Sequence, residues 1–257
     1  MNKKIVFFDL DGTLLNEEKK LLESSKLAIK KLQENNIITA VATGRTPAKV
    51  KWLLDELNIN SYVSINGQYV VYEGKEIHKN PLSFDFLHDI TQFSTNKNHA
   101  LAYVSLSDVK SSIGEHPYIR NLYEPNKMAY PSVDQNHYRT EPIYQLLLFC
   151  ENPDEVMYKE RYIENRFVRW NRFALDVLPN DISKATGIAK LLEIAGIDKE
   201  NTYAFGDDIN DMEMFSLVGT SVAMGNAIPQ LKKVSDLITS SNSEDGILNG
   251  LTKLQLI

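Results

Sequence analysis

The sequence predicts an α/β protein: a parallel sheet with helices on both faces, into which a second α+β domain is inserted. Three observations lead there. Short, continuous apolar runs alternate with amphipathic stretches in the first and last thirds of the 257 residues, the pattern of a sheet covered on both sides. Between 81 and 179 the texture changes to longer β-rich runs separated by a polar stretch. Prolines mark both transitions, at Asn80-Pro81 and Pro179-Asn180. The expected division is therefore a core made of 1–80 and 180–257, and an inserted domain over 81–179.

Each element has its own signal. "IVFF" (5–8) is a buried strand. "SSKLAIKKLQENN" (24–36) reads as a helix with Leu27, Ile29 and Leu32 near one face and Ser24 or Ser25 as its cap. "IITAVATG" (37–44) is a second strand ending on Thr43-Gly44. In "TPAKVKWLLDELN" (46–58), Pro47 takes the first helical position, where its missing N–H costs nothing. "YVSINGQYVVYEG" (62–74) is two strands around a tight Asn66-Gly67 turn.

In the insert, "ALAYVSLSDV", "PIYQLLLFC" and "RFVRWNRFALDVLP" are strand-rich, with a polar stretch at 114–142. After it come a helix in "ISKATGIAKLLEIAG", a strand in "NTYAFGDD" and a short helix in "NDMEMFSLVG". A strand in "GTSVAMGNA", a helix in "IPQLKKVS" and the closing "DLITSSNSEDGILNGL" complete the alternation.

Bulk properties exclude several function classes. The net charge of −6 argues against nucleic acid or an anionic membrane as the partner. No run approaches the roughly 18 apolar residues of a membrane helix, and the apolar stretch after Lys3-Lys4 is too short for a secretory signal. A cytoplasmic protein facing a small molecule is expected. Cys150 is the only cysteine, so no internal disulfide can form. Its setting in "LLLFC" reads as a buried thiol. Trp170, Arg169 and Arg172 in the insert are open to a substrate contact, but strand packing and surface charge account for them better.

The chemistry gathers at strand ends. "DLDGT" (9–13) ends an apolar strand on two aspartates, and a buried strand has no structural use for paired carboxylates. Asp-Gly is ordinary turn chemistry, which accounts for Asp11-Gly12 but leaves Asp9 unexplained. Gly12 can take a positive φ and turn the chain so that both acids face one site. In an open parallel sheet, ligands bind beyond the carboxyl ends of the strands. "TGR" (43–45), Lys184 near a helix start and "GDDIND" (206–211) lie on that same side. Several carboxylates, a hydroxyl and a lysine converging there call for a hard cation plus an anionic ligand. Oxygen-only ligation suits Mg²⁺, which keeps waters for substrate phosphate. Thr43 with its backbone N–H, the Gly44 N–H and Lys184 are then the expected phosphate ligands.

These residues resemble the motifs of the haloacid dehalogenase superfamily. "DLDGT" is similar to its first motif, "ATGR" to its second, "SKATGI" to its third and "GDDINDMEM" to its fourth, in the right order along the chain. "VAMGNA" and "SSNSEDG" point to the Cof-type, sugar-phosphatase-like branch. The resemblance implies a Rossmann-like core with a large α+β cap inserted after the second motif. It implies that Asp9 is the nucleophile and Asp11 the acid–base, with Leu10 N–H on the phosphate. Mg²⁺ would be held by an Asp9 carboxylate oxygen, the Asp11 backbone carbonyl and Asp207. Asn210 would touch phosphate, Asp211 would orient Lys184 or a metal-bound water, and Asp208 is the exposed, variable position.

The expected activity is hydrolysis of a small phosphate monoester, whether sugar phosphate, phosphorylated cofactor or nucleotide, through an aspartyl-phosphate. A phosphotransferase or sugar phosphomutase would share the motifs but pass phosphate to a second hydroxyl. A non-catalytic phospho-switch also uses acids, a Thr and a Lys, yet its acceptor follows a later strand in a chain about half as long. The D-x-D spacing separates it from this chain. The sequence leaves the oligomeric state and the natural substrate open.

Overall fold

The computed structural model describes residues 3–125 and 129–257; residues 126–128 of the polar stretch lie outside it. The chain forms two compact units. The first runs to Arg45, resumes over Lys49–Lys79 and closes with Ile182–Ile257; the second takes Thr46–Ala48 and Asn80–Asp181.

In chain order, the first unit opens with β1 (Ile5–Phe8), α1 (Glu23–Glu34), β2 (Ile38–Ala42), α2 (Pro47–Glu56), β3 (Ser61–Ser64), β4 (Tyr69–Tyr72) and β5 (Lys75–Lys79). The second unit supplies α3 (Phe84–Asn96), β6 (Ala100–Val104), β7 (Val109–Ser111), α4 (Pro117–Tyr123), α5 (His137–Thr140), β8 (Gln145–Phe149), α6 (Asn152–Arg161), β9 (Asn165–Asn171) and β10 (Ala174–Pro179). The first unit then resumes with α7 (Lys184–Ala195), β11 (Thr202–Gly206), α8 (Met212–Leu217), β12 (Thr220–Ala223), α9 (Pro229–Val234), β13 (Leu237–Ile238) and α10 (Gly246–Lys253).

The first unit is built on one eight-stranded sheet in the order β13-β12-β11-β1-β2-β3-β4-β5. Its strands are parallel from β13 through β3, and β4 and β5 turn back antiparallel. β1 lies at the centre because all four of its residues are apolar and can be buried on both faces. Burying each such side chain is worth roughly 1.5–3 kcal/mol. Its last residue, Phe8, pairs in register with Val41 and with Phe205, whose ring stacks on it at 5.3 Å. From β1 the strand order proceeds one way to β2 and β3 and the other way to β11 and β12. The switch point therefore falls between β1 and β11, where such sheets bind ligands.

One helix departs from expectation. α1 begins at Glu23 with Leu22 as its cap, not Ser24 or Ser25, and Ser25 is buried. Leu27 is 61 % exposed, and Ala28 joins Ile29 and Leu32 on the inner face. At about 100° per residue, Leu27 and Ile29 stand some 200° apart and cannot share a face. Pro47 does open α2, and β3 and β4 do meet around Asn66-Gly67.

The second unit is an antiparallel sheet in the order β7-β6-β8-β10-β9. One face packs an apolar cluster that includes Leu87, Ile90, Tyr103, Leu148, Tyr158 and Phe167. The other carries a smaller cluster centred on Ile119, Leu122 and Phe149. Cys150 is buried, and burial pushes its thiol up to about 11, so it is inert. Arg169 is anchored on Glu155 at 2.6 Å and Arg172 lies at the surface on Glu151 at 3.2 Å.

Candidate active site

The carboxyl ends of β1 and β11 present Asp9 and Asp207, one residue beyond each strand. Asp211 follows in a single 3-10 turn. Together Asp9, Asp207 and Asp211 bring carboxylate oxygens within 4.8 Å of one another. Lys184, the first residue of α7, is buried between them: its Nζ donates to Asp9 Oδ1 at 2.5 Å and to Asp211 Oδ1 at 2.7 Å. The remaining Asp211 oxygen accepts the backbone N–H of Asp207 and of Asp208, at 2.9 and 3.2 Å. Asp211 is thereby spent on holding Lys184 and its own loop, and its side chain is fully buried.

Three carboxylates against one ammonium leave an excess of two negative charges in a desolvated pocket. Burial pushes the Asp9 carboxyl up, to about 8, against the pull of Lys184 and with the push of Asp211. Asp207 rises to about 6 for the same first reason, with the Thr13 hydroxyl bonded to its Oδ1 at 2.8 Å lowering it and Asp211 raising it. Burial alone would lower Lys184, but the two carboxylates outweigh it and hold the ammonium above the ordinary lysine value. Among the described residues, Asp9 Oδ2 and Asp207 Oδ2 accept no hydrogen bond. The unspent oxygens and the double negative excess fit a divalent cation with oxygen ligands.

Asp11 faces elsewhere. Arg45 grips it through Nε at 2.8 Å and Nη2 at 2.6 Å, and Lys19 adds a bond at 2.7 Å. Burial alone would raise its carboxyl, but these bonds outweigh it and hold Asp11 below the usual carboxylate range. The chain turns between the two acids and the next strand at Gly12, with φ of +88°. A Cβ there would lie 2.1 Å from Asp207 Oδ2, so glycine is required twice over, by conformation and by space.

The phosphate-binding expectation needs one correction. The backbone N–H of Thr43 is donated to Val63 O at 2.9 Å and is not available to a ligand, because Thr43 continues the β2–β3 ladder. Its hydroxyl accepts Arg45 N–H at 3.1 Å and keeps its own proton to donate. The N–H groups of Leu10 and Gly44 have no partner among the described residues. Lys184 is in the pocket, while Asn210 and Asp208 are exposed on the turn that Asp211 anchors.

Sequence reasoning missed the clasp behind the loop of residues 9–15. Asn226 donates to Gly12 O at 2.8 Å and accepts Asn242 N–H at 3.0 Å, and Asn242 donates to Leu15 O at 2.9 Å. These are the asparagines of "VAMGNA" and "SSNSEDG", whose presence in the sequence was legible but whose targets, more than 200 residues away, were not. Arg45 and Thr13 stand inside the quoted motifs, but that Arg45 and Lys19 hold Asp11 and that Thr13 holds Asp207 was not legible, because such loop contacts carry no periodic signal.

The chain is similar to known proteins of one family. A family model described as haloacid dehalogenase-like hydrolase matches residues 6–251. YkrA of Bacillus subtilis (strain 168), which carries a provisional phosphatase name, is 38% identical over 257 residues, covering 100% of both chains. A 5-amino-6-(5-phospho-D-ribitylamino)uracil phosphatase of the same organism, YwtE, is 29% identical, with 95% of each chain covered. The crystal structure of a hypothetical protein from Geobacillus kaustophilus HTA426 superposes with a TM-score of 0.96 at 45% identity, covering 99% of this chain and 100% of that one.

Proposed function

This chain belongs to the haloacid dehalogenase-like hydrolases, in their Cof-type branch, and from that membership we propose a Mg²⁺-dependent phosphatase of small phosphate monoesters. The observation that carries this reading is the convergence of Asp9, Asp207 and Asp211 around the buried Lys184. A bound Mg²⁺, held by Asp9, Asp207 and the Asp11 backbone carbonyl, would neutralise charge on the phosphate and on the pocket. No helix among the described residues is long and apolar enough to cross a membrane.

In the proposed reaction one oxygen of the Asp9 carboxylate attacks phosphorus in line, and the other is left to Lys184 and the cation. An Asp9–O–P bond forms as the ester P–O bond breaks. The leaving oxygen takes a proton from Asp11, and Asp11 later takes one from the water that attacks the aspartyl-phosphate. Lys184, the Thr43 hydroxyl and the N–H groups of Leu10 and Gly44 hold the peripheral oxygens. Asn210, exposed on the turn before Asp211, is proposed to touch the phosphate as well. Arg45 and Lys19 keep Asp11 ionised at rest, so the reading includes their release before Asp11 arrives protonated.

The polyol phosphate in the name of YwtE supports sugar and polyol phosphates as the first esters to try. The test is release of inorganic phosphate from a panel of sugar phosphates, polyol phosphates, nucleotides and phosphorylated cofactors, with Mg²⁺ and after exhaustive chelation. Chelation should reduce turnover at least a hundredfold and Mg²⁺ should restore it. Undiminished activity without metal, or phosphate passed to a second hydroxyl with none released, overturns the reading.

A further inference from the structure

The turn between β3 and β4 is built in an unusual way. Ile65, Asn66 and Gly67 take φ values of +49°, +53° and +103° in succession. That region is open to glycine, tolerable for asparagine and hostile to a β-branched isoleucine. An ordinary two-residue Asn-Gly loop joins antiparallel strands without asking it of isoleucine. Strain of this kind persists only where the surroundings fix it, and here they do. Ile65 N–H and the Ser64 hydroxyl both donate to Arg45 O, at 3.1 and 2.6 Å, and Asn66 N–H donates to Thr43 O at 3.0 Å. On the other side, a Cβ on Gly67 would lie 2.1 Å from Ser183 O, at the start of α7.

The turn is therefore clamped between the loop of residues 43–45 and the helix that carries Lys184. The outcome is the position of one side chain. The Asn66 carboxamide lies against Gly44, with Oδ1 and Nδ2 at 3.1 and 3.3 Å from where a Gly44 Cβ would stand. It is half-buried, and among the described residues it has no hydrogen-bond partner. A strained, doubly anchored backbone thus holds an unspent amide beside the unspent Gly44 N–H.

Resting on the phosphatase reading above, we propose that Asn66 is a specificity-determining residue that hydrogen-bonds a hydroxyl on the carbon chain next to the transferring phosphate. A carboxamide both donates and accepts, as a hydroxyl does. A phosphate oxygen would use only its donor, and Lys184 already supplies charge to the phosphate. A substrate lacking that hydroxyl leaves the amide unpaired in a desolvated site, which is how a polar pocket rejects an apolar analogue. The substrate class is thereby narrowed to polyhydroxylated monoesters.

The test compares ribitol 5-phosphate with pentyl phosphate, which has the same chain length without hydroxyls, and uses p-nitrophenyl phosphate as the baseline. Asn66→Gly keeps the positive φ and deletes only the carboxamide; Asn66→Asp keeps the shape and deletes the donor. The wild type should prefer ribitol 5-phosphate at least tenfold in kcat/KM. Asn66→Gly should cut that ratio at least tenfold, mostly through KM, with Asn66→Asp also lowering it. Unchanged ratios in both variants, at wild-type melting temperature, overturn the proposal and leave Asn66 a turn residue. A wild type without preference overturns it as well. No phosphate released even from p-nitrophenyl phosphate would instead remove the phosphatase reading on which it rests.

Discussion

In the first unit an ammonium and two carboxylates are almost wholly out of water: Lys184, Asp9 and Asp211. In the second, the ion pairs Arg161–Asp89 and Arg172–Glu151 stay at the surface, and Arg169–Glu155 sinks partway in. Exposed pairs of that kind contribute about 0–1 kcal/mol each. A buried network is a poor way to gain stability, since the desolvation of its charges rivals their attraction. Its retention at the switch point of the parallel sheet, with an unbalanced charge, is better explained by chemistry than by folding. Removing charge from the first unit should therefore change what the protein does, and removing side chains from the second should change only what it does it to.

The sharpest break is Asp9→Asn. The amide is close in shape and its oxygen can still accept from Lys184, so the fold should survive with a melting temperature within a few degrees. Phosphate release should fall by about 10⁴-fold or more, the scale of losing a nucleophile. Residual turnover above one per cent would mean that Asp9 only positions Lys184. Asp11→Asn should act more selectively. A proton donor contributes roughly 10²–10⁴-fold, and it is needed where the departing oxygen is a poor leaving group. Alkyl phosphates should lose about a hundredfold while aryl phosphates lose less than tenfold. Equal losses on both would reduce Asp11 to a partner of Arg45 and Lys19 in holding the loop.

The same contrast explains what could be read in advance. The parallel sheet was legible because its strands are unbroken apolar runs; Asp9 and Asp207 were legible because carboxylates at the ends of such runs have few other uses, and Lys184 because it opens a helix on the same side. Asn226, Asn242 and Arg45 were not, because an asparagine or an arginine in a loop carries no periodic signal and its partner is set by tertiary contacts alone. Leu27 shows the limit of spacing alone: two residues before Ile29, it is carried by the helix to the opposite side and stays exposed. The Thr43 N–H was assigned to a ligand because a strand's last residue looks free in sequence. Pairing with Val63 shows otherwise.

The smallest effect, and the one that probes the second unit, concerns Trp170. All four motifs lie outside the insert, so the insert is proposed to read the part of the ester that is not phosphate. Trp170 is half-exposed on β9, next to the exposed Val168. Its indole N–H donates to Asp176 Oδ1 on the neighbouring β10 at 2.8 Å, which fixes the ring while leaving apolar surface in water. Losing a methylene's worth of apolar contact changes discrimination by about 1–3 kcal/mol, so if the insert selects the ester, this exposed indole should be felt in the ranking of substrates. Trp170→Ala should shift relative kcat/KM among bulky esters by about tenfold, and Trp170→Phe, which keeps a flat ring without the N–H, by less. Mg²⁺ dependence and hydrolysis of p-nitrophenyl phosphate should stay within about threefold of wild type. A uniform loss across all esters would point to misfolding of the insert, which the melting curve would register. An unchanged ranking in both variants would mean that this face of the sheet does not select the substrate.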